Sequence, residues 1–461
     1  METIPFDNVE PSPFDRVVLG DLVTPSGIMA GGYVAIRGEA IAAIGQGAPP
    51  PAGVVTDHRG RFVLPGLVDG HMHTGSSIGF PGIEGATRSA AAGGVTTCVD
   101  MPYDVPHSIH SAALLEEKIG WVNRTAHVDV ALYGTIKKSG GLDAIPELAA
   151  GGITAFKLST YEYDAVRFPR IDHPTMVDAF ALIADTGLPV AVHNEDQELV
   201  ERLTADARSA GHTDAIWHAR TRPPLAETMA DLEIFEIGLQ TGAHVHIAHS
   251  SLARGFDIAA LYRGMGMQAT GEACIQYLCM TEDDLVRLGG RGKCNPPFRT
   301  AAEVERVWEA LLAGKVSNVS TDHAPWPADR KGDADIFKCG AGLTGLQSFA
   351  VLMFTLLDER GLSPTLMAEY CAARPAALHG LSRKGAIRVG ADADLVVMET
   401  ARYRFDEATI EDRPAMRWSP YHGRTMRARV VETVLRGRTV WDGTTVLATP
   451  GTGRFVRRET V

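Results

Sequence analysis

The chain is organised around one short stretch, Val68-Asp69-Gly70-His71-Met72-His73. It follows an apolar run, residues 62–67 (FVLPGL), that predicts a buried strand. Side chains two residues apart on a strand point to the same face, so His71 and His73 face one way. Two neighbouring imidazoles can bind one metal ion. Such a pair is more often incidental, so the metal hypothesis depends on finding further ligands.

Composition indicates a soluble globular protein and argues against nucleic-acid binding. The chain has 461 residues, of which 45% are hydrophobic and 22% charged, and a formal net charge of −12. The longest apolar runs, such as residues 349–354, are too short to span a membrane. The first five residues (METIP) show no signal peptide. The six cysteines form no Cys-x-x-Cys pair, which favours a reducing cytoplasmic location without disulfides.

Both ends of the chain carry short apolar runs separated by glycine-rich turns. These runs predict strands at residues 16–19, 32–36, 41–45 and 392–397, and a hairpin over residues 430–441. We therefore expect one small β-sandwich domain built from residues 1–61 and 379–461.

The middle of the chain, residues 62–378, alternates apolar strand-like runs with longer helical patterns. Strands are predicted at 94–100, 128–133, 153–157, 188–193, 244–249, 267–272 and 316–321, and helices at 112–122, 142–150, 175–186, 224–241 and 302–313. Repeated strand–helix units predict a parallel sheet, and units of this number and length predict an α/β fold of the (β/α)8 TIM-like barrel type.

Polar side chains of metal-ligand type stand at the ends of five predicted strands. They are His71 and His73, Lys157, His193, His249, and Asp322. In a parallel barrel the carboxyl ends of the strands meet on one face, which carries the chemistry. Taken singly, each histidine is more often structural, the lysine an exposed cation and the aspartate a turn cap. Six such residues on one face favour a shared metal site.

Longer motifs give the chain a resemblance to the cyclic amidohydrolases, which include allantoinase, hydantoinase, dihydropyrimidinase and dihydroorotase. The motifs cover nearly the whole chain and comprise residues 64–73 (LPGLVDGHMH), 222–224 (RPP), 293–299 (KCNPPFR), 321–325 (TDHAP), 390–395 (GADADL) and 419–424 (SPYHGR). Within the family, residues 344–348 (TGLQS) look most like the allantoinase branch, since hydantoinases tend to carry Glu where Gln347 stands.

The resemblance implies a (β/α)8 barrel with a terminal β-sandwich, two metal ions that are usually zinc, and a homo-tetramer or homo-dimer. It assigns His71 and His73 to the first metal, His193 and His249 to the second, Lys157 to both as a bridging carbamate, and Asp322 to the first metal and to acid–base catalysis. It also implies ring opening of a cyclic amide or ureide by a metal-bound hydroxide. Allantoin is the best single substrate, and a hydantoinase-like or dihydropyrimidinase-like activity on another cyclic imide is the alternative.

The chemistry of the residues is compatible with these implied roles. A buried ammonium beside two divalent cations would be severely unfavourable, whereas carboxylation turns Lys157 into an anionic oxygen ligand. Two metals lower the pKa of a bound water, so hydroxide can exist near neutral pH. Asp322 can then carry a proton from the attacking hydroxide to the leaving nitrogen.

Three departures from the family pattern fall where substrate is expected. Asp104 stands where relatives commonly have Asn, and an ionised carboxylate can only accept hydrogen bonds. Tyr161 or Tyr163 offers a phenol, although neither spacing matches hydantoinases cleanly. The segment 272–277 (EACIQY) lacks the Pro and His of its family motif. Asp104 and Tyr161, with Asn295 from the 293–299 motif, are the predicted substrate-binding residues, although neutral drift would explain the departures equally well.

Two other functional classes are weaker hypotheses. A zinc deaminase on the same barrel usually lacks a bridging lysine, so Lys157 argues against it. A non-catalytic scaffold of this family typically loses metal ligands, and all of them are present in this sequence.

Overall fold

The computed structural model describes residues 13–459. Four strands come first: β1 (Phe14–Thr24), β2 (Gly27–Arg37), β3 (Ala40–Gln46) and β4 (Ala52–Pro65). Eight short strands follow: β5 (Leu67–Met72), β6 (Val95–Asp100), β7 (Asp129–Gly134), β8 (Ala155–Ser159), β9 (Val190–His193), β10 (Val245–Ile247), β11 (Ala269–Cys274) and β12 (Asn318–Ser320). Three strands come last: β13 (Leu395–Arg404), β14 (Thr425–Leu435) and β15 (Arg438–Trp441).

The helices lie mainly between the eight short strands. In chain order they are α1 (Gly82–Ala92), α2 (Ala112–Thr125), α3 (Ala144–Ala150), α4 (His173–Thr186), α5 (Gln197–Ser209), α6 (Ile216–Arg220), α7 (Pro224–Thr241), α8 (Ala253–Gly264), α9 (Glu282–Leu288), α10 (Ala301–Leu312), α11 (Phe349–Glu359), α12 (Thr365–Ala368) and α13 (Arg374–Leu378). Within residues 13–459, none of them has both the length and the apolar character that a membrane crossing requires.

Strands β5 to β12 form the parallel barrel that the sequence predicts. They pair side by side in chain order, and all the pairings are parallel. The ring closes between its first and last strands, where Met72 pairs with His323 and the amide of His73 donates to the carbonyl of His323 at 2.6 Å. The barrel is therefore confirmed, and its strand ends share one rim.

Strands from both ends of the chain form a second, mixed sheet, here called the terminal sheet. Its order is β15-β14-β13-β4-β1-β2-β3, with β1 and β4 parallel and the other neighbours antiparallel. The register of β1 shifts around Gly20, where a Cβ atom would lie 2.5 Å from Cγ2 of Val63. Only glycine permits that close approach. The prediction that both termini build one β unit is confirmed.

The apolar run before His71 is divided between the two sheets instead of forming one strand. β4 ends at Pro65, and the amide of Gly66 donates at 2.8 Å to the carbonyl of Asp394, the residue before β13 of the terminal sheet. The next amide, that of Leu67, donates to Gly94 at the start of the barrel at 3.1 Å. A side chain on Gly66 would overlap Thr96, with its Cβ 2.2 Å from Oγ1. Gly66 is thus the point where the chain passes from one sheet to the other.

Candidate metal centre and substrate cavity

The strand ends bring His71, His73 and Asp322 together on the rim of the barrel. The Nε2 atoms of the two histidines are 3.3 Å apart. Oδ1 of Asp322 lies 3.2 Å from Nε2 of His71 and 3.4 Å from Nε2 of His73. The three donor atoms all lie within 4.8 Å of one another, which is the spacing of ligands around one ion.

His193, His249 and Lys157 form the second half of the same site. Nδ1 of His193 is 2.9 Å from Nε2 of His249. Lys157 is 1% exposed, and its Nζ atom has no hydrogen-bond partner within the described part of the chain. All three residues line one cavity together with His73 and Asp322.

Two of the predicted ligands have an unusual backbone conformation. His249 and Asp322 have φ values of +45° and +46°, in the left-handed region that non-glycine residues seldom occupy. His249 lies two residues after the end of β10 and Asp322 two residues after the end of β12, and the side chain of each lines the cavity at the rim. Such conformations persist only where surrounding contacts maintain them, and they are concentrated at functional sites.

Three of the four histidines that would ligate a metal have a partner on the other ring nitrogen, whereas Nδ1 of His249 is buried with no hydrogen-bond partner among residues 13–459. Nδ1 of His71 contacts Oε1 of Glu272, and Nδ1 of His73 lies 3.0 Å from Oγ of Ser76. Nε2 of His193 lies 2.9 Å from Oε2 of Glu195. These contacts favour the proton on the outer nitrogen and leave the inner lone pair for a cation.

Burial shifts the pKa values of the site toward the metal-binding protonation states. It lowers the pKa of His71, His193 and His249, so the neutral imidazoles prevail. Burial also lowers the pKa of Lys157 to about 8, against the opposing charges of Glu272 and Asp322. For Asp322 burial would raise the pKa, but His71 and His73 bring it below its ordinary value.

The residues of this site fit a pair of divalent cations. Four imidazole nitrogens and one carboxylate are buried on one rim, and the amine of Lys157 lies beside them without another partner in residues 13–459. Imidazole with carboxylate is a donor set typical of zinc and neighbouring transition metals. A buried polar group without a partner also requires a chemical explanation, which a metal bridge would supply.

Above these ligands lies an open cavity of about 740 Å³, counted with its mouth. Its walls outside the ligand set are Ser76, Tyr103, Tyr163, Arg167, Phe168, Asn295, Ala324, Trp326, Ala341 and Gly342. The sequence offered either Tyr161 or Tyr163 as the phenol near the substrate, and the two lie in different positions. Tyr163 lines the cavity, with its hydroxyl 3.4 Å from Nε2 of His193, whereas Tyr161 packs behind it at a ring distance of 4.9 Å.

Asp104 lies beside the site but is occupied by an ion pair. Its Oδ2 accepts from Nζ of Lys118 at 2.7 Å, and the same ammonium lies 2.8 Å from Asp100. All three side chains are buried, and Asp104 is not one of the residues that line the cavity. Burial raises the pKa of Asp104 to about 6, against the charge of Lys118.

Asn295 and Arg167 provide an amide and a cation in the cavity wall. Oδ1 of Asn295 is buried and has no hydrogen-bond partner among residues 13–459. Arg167 is held in place because its Nη1 donates to the carbonyls of Ser76 at 3.1 Å and Tyr103 at 3.3 Å. Beside the hydroxyls of Ser76 and Tyr163, the wall therefore presents the amide oxygen of Asn295 and the cation of Arg167 amid aromatic rings.

Known proteins of similar sequence and structure agree with this architecture. The model of the amidohydrolase family matches residues 62–440. The chain belongs to the amidohydrolase family. It is 37% identical to an allantoinase of Rubrobacter xylanophilus, covering 97% of this chain and 98% of that one. It is 36% identical to an allantoinase of Solibacter usitatus, covering 96% of each chain.

A solved structure supports the same relationship. The L-hydantoinase (dihydropyrimidinase) of Arthrobacter aurescens superposes with a TM-score of 0.92 at 28% identity, covering 96% of this chain and all of that one. The predicted family is therefore confirmed.

Two residues of the amidohydrolase motifs contact residues that hold the ligands or the cavity wall in place. Arg222 contacts Glu195, which in turn holds His193. The ammonium of Lys293 donates to the carbonyls of Ile336 and Cys339, both at 2.8 Å, and so anchors the loop that carries part of the cavity wall.

Gln347, the residue that favoured the allantoinase branch, lies outside the cavity. Its amide bonds the backbone of Thr409 at 2.8 Å and of Glu411 at 2.6 Å. It therefore joins a barrel loop to the segment before β14, and it is not among the residues that line the cavity.

Sequence reasoning missed several residues around the site. Glu195 follows His193 at the same-face spacing, and Glu272 stands in a quoted motif, so a search for carboxylates that support histidines would have found both. Arg167, Phe168 and Trp326 come from loops whose course no periodic pattern reveals.

Proposed function

We propose that this protein hydrolyses allantoin to allantoate by opening its hydantoin ring. The observation that carries the proposal is the convergence of six ligand-type side chains on one barrel rim beneath an open cavity. The allantoinase relatives, at 36–37% identity over nearly the full chain, support the choice of substrate.

We propose two divalent ions, zinc in the first instance, held by the six residues that the sequence singles out. His71, His73 and Asp322 would hold the first and His193 and His249 the second, with Lys157 between them. Bound there, the pair would supply Lewis acidity, polarising a ring carbonyl and making water acidic enough to attack near neutral pH.

Lys157 is proposed to carry a carboxyl group. Its neutral amine would attack carbon dioxide, form a C–N bond and lose one proton, giving an anionic carbamate. The buried Nζ atom, with no partner in the described structure, has the position for this role. The carbamate would replace a costly buried ammonium with a ligand of opposite charge.

Asp322 is proposed as the general base and then the general acid. It accepts the proton of the attacking water while a C–O bond forms at the ring carbonyl. It returns that proton to the ring nitrogen as the C–N bond breaks. The products are a carboxylate and a ureido nitrogen on one open chain, with one proton released to solvent.

The cavity wall suits a substrate with a polar substituent. Allantoin carries a ureido group, whose carbonyl oxygen can accept from Arg167 and whose amide can donate to Oδ1 of Asn295. The surrounding rings of Tyr103, Phe168 and Trp326 suit the flat hydantoin ring.

A hydantoinase or dihydropyrimidinase activity is the second candidate, because a hydantoinase has closely similar architecture and Tyr163 brings a phenol into the cavity. Ring-opening assays with allantoin, hydantoin, dihydrouracil and dihydroorotate separate the candidates. We expect the highest kcat/KM for allantoin. A higher value for another ring would reassign the substrate, and a metal-replete enzyme that opens none of them would overturn the proposal.

We also propose a homo-oligomer, a tetramer or a dimer, located in the cytoplasm. Helix α7 exposes apolar side chains at helical spacing, namely Leu225, Met229, Leu232 and Leu239, which a second copy could cover. All six cysteines are free thiols, which suits a reducing compartment. Light scattering tests the interface, since the mass of the Met229→Glu variant should be lower than that of the wild-type oligomer.

A further inference from the structure

We infer that Glu272 is a positioning residue that couples the two halves of the metal centre. This inference rests on the proposed binuclear site and gives it a structural cause for binding two ions together. Glu272 lies on β11 and is 2% exposed. It is not among the residues that line the cavity, so its role is exerted through the residues that it holds.

The carboxylate of Glu272 receives four donors, two on each oxygen. Oε1 contacts Nδ1 of His71 and accepts from the backbone amide of His249 at 3.1 Å. Oε2 accepts from Oγ of Ser320 at 2.9 Å and from Nδ2 of Asn318 at 3.3 Å. One oxygen atom therefore touches a predicted ligand of the first metal and a predicted ligand of the second.

Glu272 also holds the unusual backbone at His249. Its carboxylate takes the amide of His249, and its own carbonyl accepts from the amide of Ser250 at 2.9 Å. Two successive amides are thus fixed on either side of a residue with φ +45°. A left-handed conformation in a histidine is unfavourable, so these bonds are what keep its ring directed into the rim.

Glu195 offers a natural comparison because it supports one half only. Its Oε2 lies 2.9 Å from Nε2 of His193 and contacts Arg222, which balances its charge. It has no contact with His71 or His73 in the described structure. Removing Glu195 should therefore affect the second metal alone, whereas removing Glu272 should affect both.

The test is a metal titration that does not depend on turnover. Full-length wild type, Glu272→Gln and Glu195→Gln are stripped with chelator, supplied with bicarbonate, and titrated with Zn²⁺ against a chromophoric chelator. Gln keeps the size of the side chain and one acceptor oxygen but loses the charge. Thermal unfolding of the metal-free proteins, followed by circular dichroism, reports whether each variant is folded.

We expect Glu272→Gln to weaken both zinc sites in parallel, by about 10- to 100-fold each. Glu195→Gln should weaken one site by a similar factor and leave the other within about threefold. Retention of one ion at wild-type affinity in Glu272→Gln would overturn the coupling role.

If Glu272→Gln does not fold, Ser320→Ala provides the same test more gently. It removes one donor to Glu272 without altering a ligand, and it should weaken both sites together by about threefold. Weakening of a single site would contradict the inference. A wild type that binds two ions but does not open allantoin would overturn the substrate and leave this inference standing.

Discussion

The floor and the wall of the cavity are built in different ways. The floor consists of side chains at the ends of barrel strands, buried and fixed by hydrogen bonds to partners such as Glu272 and Glu195. The wall comes from loops, with Arg167 held by backbone carbonyls and Trp326 carried on a long connection after β12. Under the proposed function, the reaction type would depend on the strand ends, whereas the choice of ring would depend on loops that can vary separately.

The largest expected effect is at Lys157 on the floor. Lys157→Ala should lose bound metal and activity together, because the bridging anion would be absent. Elemental analysis and allantoin turnover measure the two properties in one preparation. Lys138→Ala, which changes an exposed lysine paired with Glu162, is the matched control and should behave as wild type. Full activity in Lys157→Ala would refute the bridging role.

Asp322→Asn should retain much of its metal but lose turnover by about 10²- to 10⁴-fold, because the amide cannot accept and return a proton. Asn also tolerates the left-handed backbone at this position, so the fold should survive. Steady-state kinetics with metal analysis checks this. A variant that turns over at more than a tenth of the wild-type rate would show that another group carries the proton.

Arg167→Leu in the wall should change specificity more than chemistry. We expect kcat/KM for allantoin to fall by about 10- to 100-fold through loss of a charge-assisted hydrogen bond. The value for unsubstituted hydantoin should change little, since that ring lacks the ureido group. Arg170→Leu, three residues further along the same loop, serves as the control. Equal losses on both substrates would place Arg167 in a structural role instead.

Tyr163→Phe should lower kcat/KM by roughly tenfold, as expected for one hydrogen bond. Tyr161→Phe should have a smaller effect, because that ring packs behind Tyr163 and against Arg222. Measuring both variants on allantoin decides which phenol serves the substrate, and the reverse order would return that role to Tyr161.

The smallest effect on activity is expected at Asp104. Asp104→Asn should leave KM within about threefold while lowering the free energy of unfolding by about 1–3 kcal/mol, because Lys118 loses one buried partner. Chemical denaturation and steady-state kinetics test the two parts. A tenfold rise in KM at unchanged stability would show that Asp104 contacts the substrate, as its place in the motif suggested.

Much of the floor was predictable because it follows from local pattern plus one rule of topology. Helix α7 was predicted with the bounds that the structure has, and the predicted strands that carry His193 and Asp322 lie where expected to within a few residues. Once parallel strands close into a barrel, their ends must share a rim. The order of polar residues along the chain then becomes an arrangement in space.

Sequence patterns alone were enough to predict the barrel, the β unit built from both ends of the chain, the family and the six residues that the barrel strand ends bring to one rim. The folded structure was needed to show that the run before His71 divides at Gly66, that Asp104 forms a buried ion pair with Lys118, and that Arg167 and Trp326 line the cavity. The difference arises from how far apart the interacting residues lie in the sequence. Strand and helix patterns are set by neighbouring residues, whereas loop courses and buried ion pairs depend on partners distant in the chain.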